Sequence, residues 1–197
     1  MLFRFFGEFS NDPQAAILNI IGFIIALIIA ISVHEFSHAL SAYRLGDNTA
    51  KNQGRLTLNP KAHLDPMGTI MIFFAGFGWG RPTPVSPWNL RIGEKAGMAV
   101  VSVAGPISNV IVALITGIIF QVYMNPGADS IQVARILLTV IHLNLVLAIF
   151  NLLPIAPLDG FKIVLGLLPR DAALSFAKTE RYGMMILVLI IMGDVFL

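Results

Sequence analysis

Ile17-Leu18-Asn19-Ile20-Ile21-Gly22-Phe23-Ile24-Ile25-Ala26-Leu27-Ile28-Ile29-Ala30-Ile31-Ser32-Val33-His34-Glu35-Phe36-Ser37-His38 is the stretch that decides the fold. Residues 17–33 carry no charge, and the run then delivers His34, Glu35 and His38 without a break. About 20 apolar residues suffice to cross the hydrocarbon of a bilayer, so residues 16–42 read as a membrane-spanning helix. Residues four apart on a helix share a face. His34 and His38 can therefore reach one tetrahedral metal ion, with Glu35 close enough to work on water at that ion. Ionisable groups in a membrane helix are expensive unless paired or functional. That expense favours a metal site over a histidine pair that merely makes packing contacts.

The rest of the chain agrees with the membrane reading. Of 197 residues, 56% are hydrophobic and 12% charged, against about 25% charged in soluble domains; mean hydropathy is +0.81. A formal net charge of +2 is too small to suggest nucleic acid, and with no cysteine any metal must be held by nitrogen or oxygen donors. The first apolar run is long for a secretory signal core and leads straight into the reactive residues, so it belongs to the mature protein. The chain shows no internal repeat.

Beyond an interfacial arm at 1–15, further spanning helices are expected at 95–123 and 131–153, and a last, barely spanning one at 182–197. Residues 66–80 are apolar but short and carry Gly68, Gly76, Gly78 and Gly80. They read as a re-entrant segment, since irregular backbone at membrane depth is tolerated only against protein or a wet cavity. Gln53-Gly54-Arg55-Leu56-Thr57-Leu58 alternates polar with apolar, as a short strand would. Asn125-Pro126-Gly127 reads as a turn. The expected fold is an all-α integral membrane bundle. It is one domain over 1–197 with a core at about 16–170, about four spanning helices, a re-entrant segment and a small β-hairpin near the membrane edge.

Charge placement orients this bundle. With the end of the first helix in the cytoplasm and residues 66–80 dipping in and returning, only Arg4 and Arg135 of the 13 basic residues fall on the far side, as the positive-inside rule asks. A catalytic zinc site needs a third protein ligand and one open position. Asp159, at a proline-broken helix end after Pro154 and Pro157, lies at the same depth as His34 and His38. Asn144 and Asn151 sit two turns apart on one face. An amide there can serve a tetrahedral oxyanion or a peptide backbone, or act as interhelical glue. The glue reading weighs equally for Asn144.

Three ordered motifs then carry a resemblance: His34-Glu35-x-x-His38, Gly105-Pro106-Ile107-Ser108-Asn109, and Asn151 through Pro157-Leu158-Asp159-Gly160. Together the chain resembles the site-2 protease family of intramembrane metalloproteases over about residues 17–170. The loop from Gly54 to Pro60, with His63, Asp65, Pro66 and Gly68, is similar to the compact bacterial and archaeal branch. The resemblance implies one zinc ion on His34, His38 and Asp159, Glu35 as general base, and Asn151 steadying the oxyanion or substrate backbone. It implies transmembrane proteins or peptides as substrates, cut in regulated proteolysis or clearance of membrane remnants. It implies a multi-pass protein of the cell membrane with its site towards the cytoplasm. No PDZ insertion or CBS pair is visible, so regulation would fall to a membrane partner, a homo-oligomer or the loops.

Arg55 and Thr57 are candidate substrate contacts, on a strand edge that could hold an unwound peptide. His63 and Asp65 read as a structural turn, His142 as a hydrogen bond inside the bundle, and Ser108 and Asn109 as partners of nearby backbone. Gly105-Pro106 reads as a kink with close packing, and Trp79 and Trp88 as an interfacial belt. Two rival readings are a catalytically silent relative that binds membrane peptides and a metal transporter. The first would be expected to have lost a motif residue, and the second to show repeated halves.

Overall fold

The computed structural model describes residues 12–75, 78–124 and 131–196. Its elements are helices α1 (Pro13–Arg44), α2 (Thr49–Asn52), α3 (Pro66–Ala75), α4 (Glu94–Tyr123), α5 (Ile131–Asn151), α6 (Asp159–Leu167), α7 (Arg170–Ala177) and α8 (Glu180–Phe196). Single 3-10 turns lie at Pro60–Ala62 and Pro87–Asn89. The expected arm at 1–15, apart from its last residues, and the turn at Asn125-Pro126-Gly127 lie outside the described residues.

α1, α4 and α5 are long and apolar enough to cross a membrane. About four spans were expected. α8 has 17 residues and falls short of that length, so three helices meet the requirement among those described. The three pack on one another, and α4 also carries α6. Their contacts are made by small side chains: Ala26, Ala30, Ala39, Ala113, Ala134 and Ala148 are buried, as are Gly97 and Gly105. Large ones point outwards, among them Ile17, Ile21 and Ile24 on α1, Leu114 and Ile118 on α4, and Ile149 on α5. Hydrocarbon offers no hydrophobic drive to bury those chains. Helices in lipid instead associate through small residues that let backbones approach.

Local sequence sets the ends of α1. The Asp12 carboxylate accepts the Ala15 N–H at 3.0 Å, and Pro13 occupies the first turn, where its missing N–H does no harm. At the other end Gly46 takes φ +107°. Gly46 N–H then reaches Tyr43 O at 3.1 Å and Asp47 N–H reaches Ala42 O at 2.9 Å, the paired closure of a Schellman motif.

This closure places Asp47 in a fully buried position. Its Oδ1 accepts from Thr49 N–H (3.0 Å), Thr49 Oγ1–H (2.6 Å) and Asn89 Nδ2–H (3.0 Å), and its Oδ2 from Ser86 N–H (2.7 Å). One carboxylate thus ties the end of α1 to the proline-rich segment. Leu90 adds to the tie by packing with Ala42 and Val101.

At Gly80 the chain is again beside Leu64, the residue that precedes α3 by two. Leu64 pairs with Gly80 in an isolated antiparallel bridge, and Arg81 N–H donates to His63 O at 2.7 Å. α3 starts at the Asp65 carboxylate, which accepts the Gly68 N–H at 2.8 Å. Ile72 on α3 packs against Phe23, Leu27 and Ile31 of α1. His63 is fully buried, with Nε2 at 2.7 Å from Thr57 O, so His63 and Asp65 occupy structural positions in the loop.

Residues 53–58 correct the sequence reading: turns and bends stand where a strand was expected. Gly54 turns the chain at φ +69°. Arg55 is buried with a guanidinium N–H donating to Arg81 O, and the Thr57 carbonyl is taken by His63. The edge that a strand would have offered is used up inside the loop.

Asp47 yields a pH prediction. Burial pushes its carboxyl up, but the hydrogen bonds from Thr49, Asn89 and Ser86 outweigh burial and hold it below the usual carboxylate range. A depressed folded pKa stabilises the protein above the unfolded value of about 4 and is lost as pH falls through the folded value. Asp47→Ala should destabilise the detergent-solubilised protein by about 3 kcal/mol at pH 7. The gap from the parent should shrink as pH is lowered below about 4. Thermal unfolding of both proteins across that range checks it.

Candidate metal centre

His34 and His38 sit near the end of α1, one turn apart, with ring centroids 4.6 Å apart and planes at 86°. Both are buried, as is Asp159 in the first turn of α6. Asp159 Oδ2 lies 3.0 Å from His34 Nε2 and 3.2 Å from His38 Nε2. The carboxylate reaches this point because the chain breaks after Asn151 and restarts a helix at Asp159, whose positive end favours an anion. Gly160 makes the turn tight: a Cβ there would lie 2.2 Å from Leu152 O.

The outer ring nitrogens are both engaged. His38 Nδ1 lies 2.7 Å from Val101 O, an acceptor only, so that nitrogen carries the hydrogen. His34 Nδ1 lies 2.6 Å from Asn109 Oδ1. Both Nε2 atoms then lie on the side of Asp159, and one donor atom from each of the three residues falls within 4.8 Å of the others. Zinc takes ligands at about 2.0–2.2 Å, which puts tetrahedral donors about 3.3 Å apart. The observed spacing fits, and two imidazoles with one carboxylate leave one position open for chemistry.

α4 closes the back of the centre. A Cβ on Gly105 would lie 2.5 Å from His38 Nε2 and 2.6 Å from His34 Nε2. The close packing expected of Gly105-Pro106 is therefore packing against the two ligand rings themselves. α4 continues through the buried Pro106.

Glu35 is part-buried beside the ligands. Its Oε2 accepts the Thr83 N–H at 2.7 Å, and its main-chain oxygen accepts from Thr83 Oγ1–H at 3.0 Å. Pro82-Thr83-Pro84 thereby lies against the carboxylate and holds it, leaving a second oxygen to receive a proton. A cavity of about 100 Å³ opens here, lined by His34, Glu35, His38, Thr83, Asn151, Asp159 and Lys162 among others.

The sequence-predicted residues divide cleanly. His34, Glu35, His38, Asp159 and Asn151 meet at this cavity, whereas Asn144, Arg55 and Thr57 are not among its lining residues. Asn151 Nδ2–H donates to Leu147 O at 3.0 Å. Asn144, expected to face a substrate or a neighbouring helix, is fully buried and accepts from Asn109 Nδ2–H at 2.8 Å. His142 corrects the expectation of a hydrogen bond in the bundle, because it lies on the exposed face of α5. Asn109 reaches a ligand ring, not only nearby backbone. Thr83 and Lys162 escaped sequence reading, since a threonine between prolines and a lysine after a helix start carry no signal of their own.

A membrane-helix bundle holding a two-histidine, one-carboxylate cluster beside a glutamate defines a membrane metal centre equipped for hydrolysis. The model of peptidase family M50 matches residues 22–193, and the chain belongs to that family. It is 45% identical over 175 residues to YwhC of Bacillus subtilis, provisionally named a zinc metalloprotease, covering 85% of this chain and 78% of that one. It is 28% identical to Rip2 of Mycolicibacterium smegmatis and 27% identical to Rip2 of Mycobacterium tuberculosis, both named in the same provisional way. Those matches cover 89% and 84% of this chain but 66% and 64% of the relatives. No solved structure matches the chain.

Gly105 gives the test of this geometry. Gly105→Ala should lower bound zinc to well below one per chain, because its methyl would occupy the space of both rings. Gly117→Ala on the same helix, where a Cβ meets nothing within 4 Å, should bind zinc like the parent. Metal content after purification without chelators checks both.

Proposed function

We propose that this protein is a zinc-dependent intramembrane endopeptidase of the His-Glu-x-x-His type, hydrolysing peptide bonds in transmembrane segments of membrane-anchored proteins. The observation that carries the reading is the convergence of Glu35 and Asn151 with His34, His38 and Asp159 on one small cavity at the end of a membrane-length helix. Membership of a peptidase family and the zinc metalloprotease names of its relatives support it.

His34, His38 and Asp159 would hold the zinc ion, which when bound would supply Lewis-acid chemistry to a carbonyl and to water at neutral pH. Glu35, steadied by the Thr83 N–H, takes the proton of the attacking water and delivers it to the leaving amine. Asn151 offers its amide to the developing oxyanion or the substrate backbone. A cavity of about 100 Å³ is too small for a helix about 10–12 Å across, so a helical substrate must unwind before it is cut.

The site opens towards the cytoplasm, on the strength of the basic residues that gather at that end of the helices. The re-entrant segment expected at 66–80 dips into the bilayer from that side, and α8, barely long enough at 17 residues, supplies a fourth span. The catalytic unit is a single domain with its core at about 16–170.

Glu35→Gln separates chemistry from metal binding. It should keep about one zinc per chain while losing about 10²–10⁴-fold in cleavage of a fluorescent transmembrane peptide in vesicles. Chelation should abolish cleavage by the parent, and added zinc should restore it. Equal cleavage by parent and variant would refute the role of Glu35. Zinc in both and cleavage in neither, across a panel of transmembrane peptides, would favour a silent peptide-binding relative.

A further inference from the structure

Asn109 and Asn144 are wholly buried amides outside the cavity lining, and burying an amide is costly unless its polar atoms are matched. The bonds run from α5 to the metal centre. Val140 O takes a hydrogen from Asn144 Nδ2 at 2.8 Å. A carbonyl cannot donate, so the Asn144 nitrogen must face it, which turns Oδ1 towards α4. That oxygen accepts from Asn109 Nδ2 at 2.8 Å, and Ala30 O on α1 accepts from the same nitrogen at 3.1 Å. An amide nitrogen has two hydrogens, and both are now used. Only Asn109 Oδ1 remains for His34 Nδ1, 2.6 Å away.

The sense of both amides is thus fixed by main-chain carbonyls at Ala30 and Val140. Reversing Asn109 would set its oxygen against the oxygens of Ala30 and Asn144. It would also offer N–H to His34 Nδ1, which drives the ring proton to Nε2 and removes the lone pair on the side of Asp159. Ligand histidines generally have their other nitrogen held in this way, by partners that set tautomer and ring orientation.

We propose that Asn109 and Asn144 are positioning residues for the metal centre: a two-amide relay, anchored on the carbonyls of Ala30 and Val140, that holds His34 as its Nδ1–H tautomer and leaves Nε2 for zinc. The inference rests on the zinc reading above. Asn144 does not touch His34 and acts through Asn109. Simple interhelical glue would contribute stability without selecting a tautomer.

The test uses the purified full chain, stripped of zinc, with zinc affinity read by competition with a chromophoric chelator and thermal unfolding followed on the same samples. Asn109→Leu, similar in size but without an acceptor, should weaken zinc binding about 10–100-fold. Asn144→Leu should weaken it in the same direction by about 10-fold. Thr116→Val, a buried change two turns along α4, should leave affinity unchanged. Parent-like affinity in Asn109→Leu, or an equal loss in Thr116→Val, overturns the relay.

Nitrogen-15 spectra of histidine-labelled, zinc-loaded parent decide the same point without any variant of the relay having to fold. The His34 signal, assigned by comparison with His34→Gln, should show a protonated Nδ1 with Nε2 on the metal, and coordination through Nδ1 overturns the proposal. A parent that binds no zinc would sink the metal centre itself, whereas parent-like affinity in Asn109→Leu would sink the relay alone.

Discussion

An imidazole can give a lone pair to a metal from one nitrogen only if its hydrogen is accepted at the other. Here two rings must satisfy that condition within one turn of one helix. The structure meets it with two acceptors from α4: the Val101 carbonyl for His38 and the Asn109 side chain for His34. Everything near the centre serves that approach of α4 to α1. The helices meet through alanine and glycine, and Gly105 removes the last side chain that would hold them apart. The large aliphatic chains are left to face outwards, which only a bilayer makes economical.

The two imidazoles differ in how they are secured. The acceptor for His38 belongs to the main chain, so no side-chain replacement at Val101 deletes it. The acceptor for His34 is a side chain that depends on another side chain across the helix interface. Asp159 arrives from a separate break in the chain, held by the tight turn at Gly160. Glu35 is secured from yet another direction, by the proline-flanked Thr83. Four segments distant in sequence thus have to be in register at once. Asp47 helps to keep one of them, the proline-rich stretch, against the end of α1.

The long helices and the reactive cluster were legible because their signals are local. An uncharged run ending in His34-Glu35-x-x-His38 announces both a span and a ligand pair, and Pro154 and Pro157 announce the break before Asp159. What escaped is what depends on partners. Residues 53–58 alternate as a strand would, but nothing in that alternation says that Arg55 turns inwards to the Arg81 carbonyl. Asn144 has the same chemistry whether it meets a substrate or a neighbouring amide, and only the position of Asn109 on the facing helix decides. His142 looks interior by polarity alone, yet helical phase puts it on the opposite face from Asn144 and outside the bundle. Gly46-Asp47 reads as a turn, and its second role as a four-bond anchor appears only when Ser86 and Asn89 are brought alongside.

The contact of Gly105 with both rings has a bearing on relatives whose motif residues are all intact. A chain of this family can keep His34, Glu35, His38 and Asp159 and still be unable to take up a metal, if the position of Gly105 carries any side chain at all and α4 has not moved away. Inspection of that single position therefore offers a way to sort working peptidases from dormant look-alikes, independent of the ligands by which such chains are ordinarily recognised.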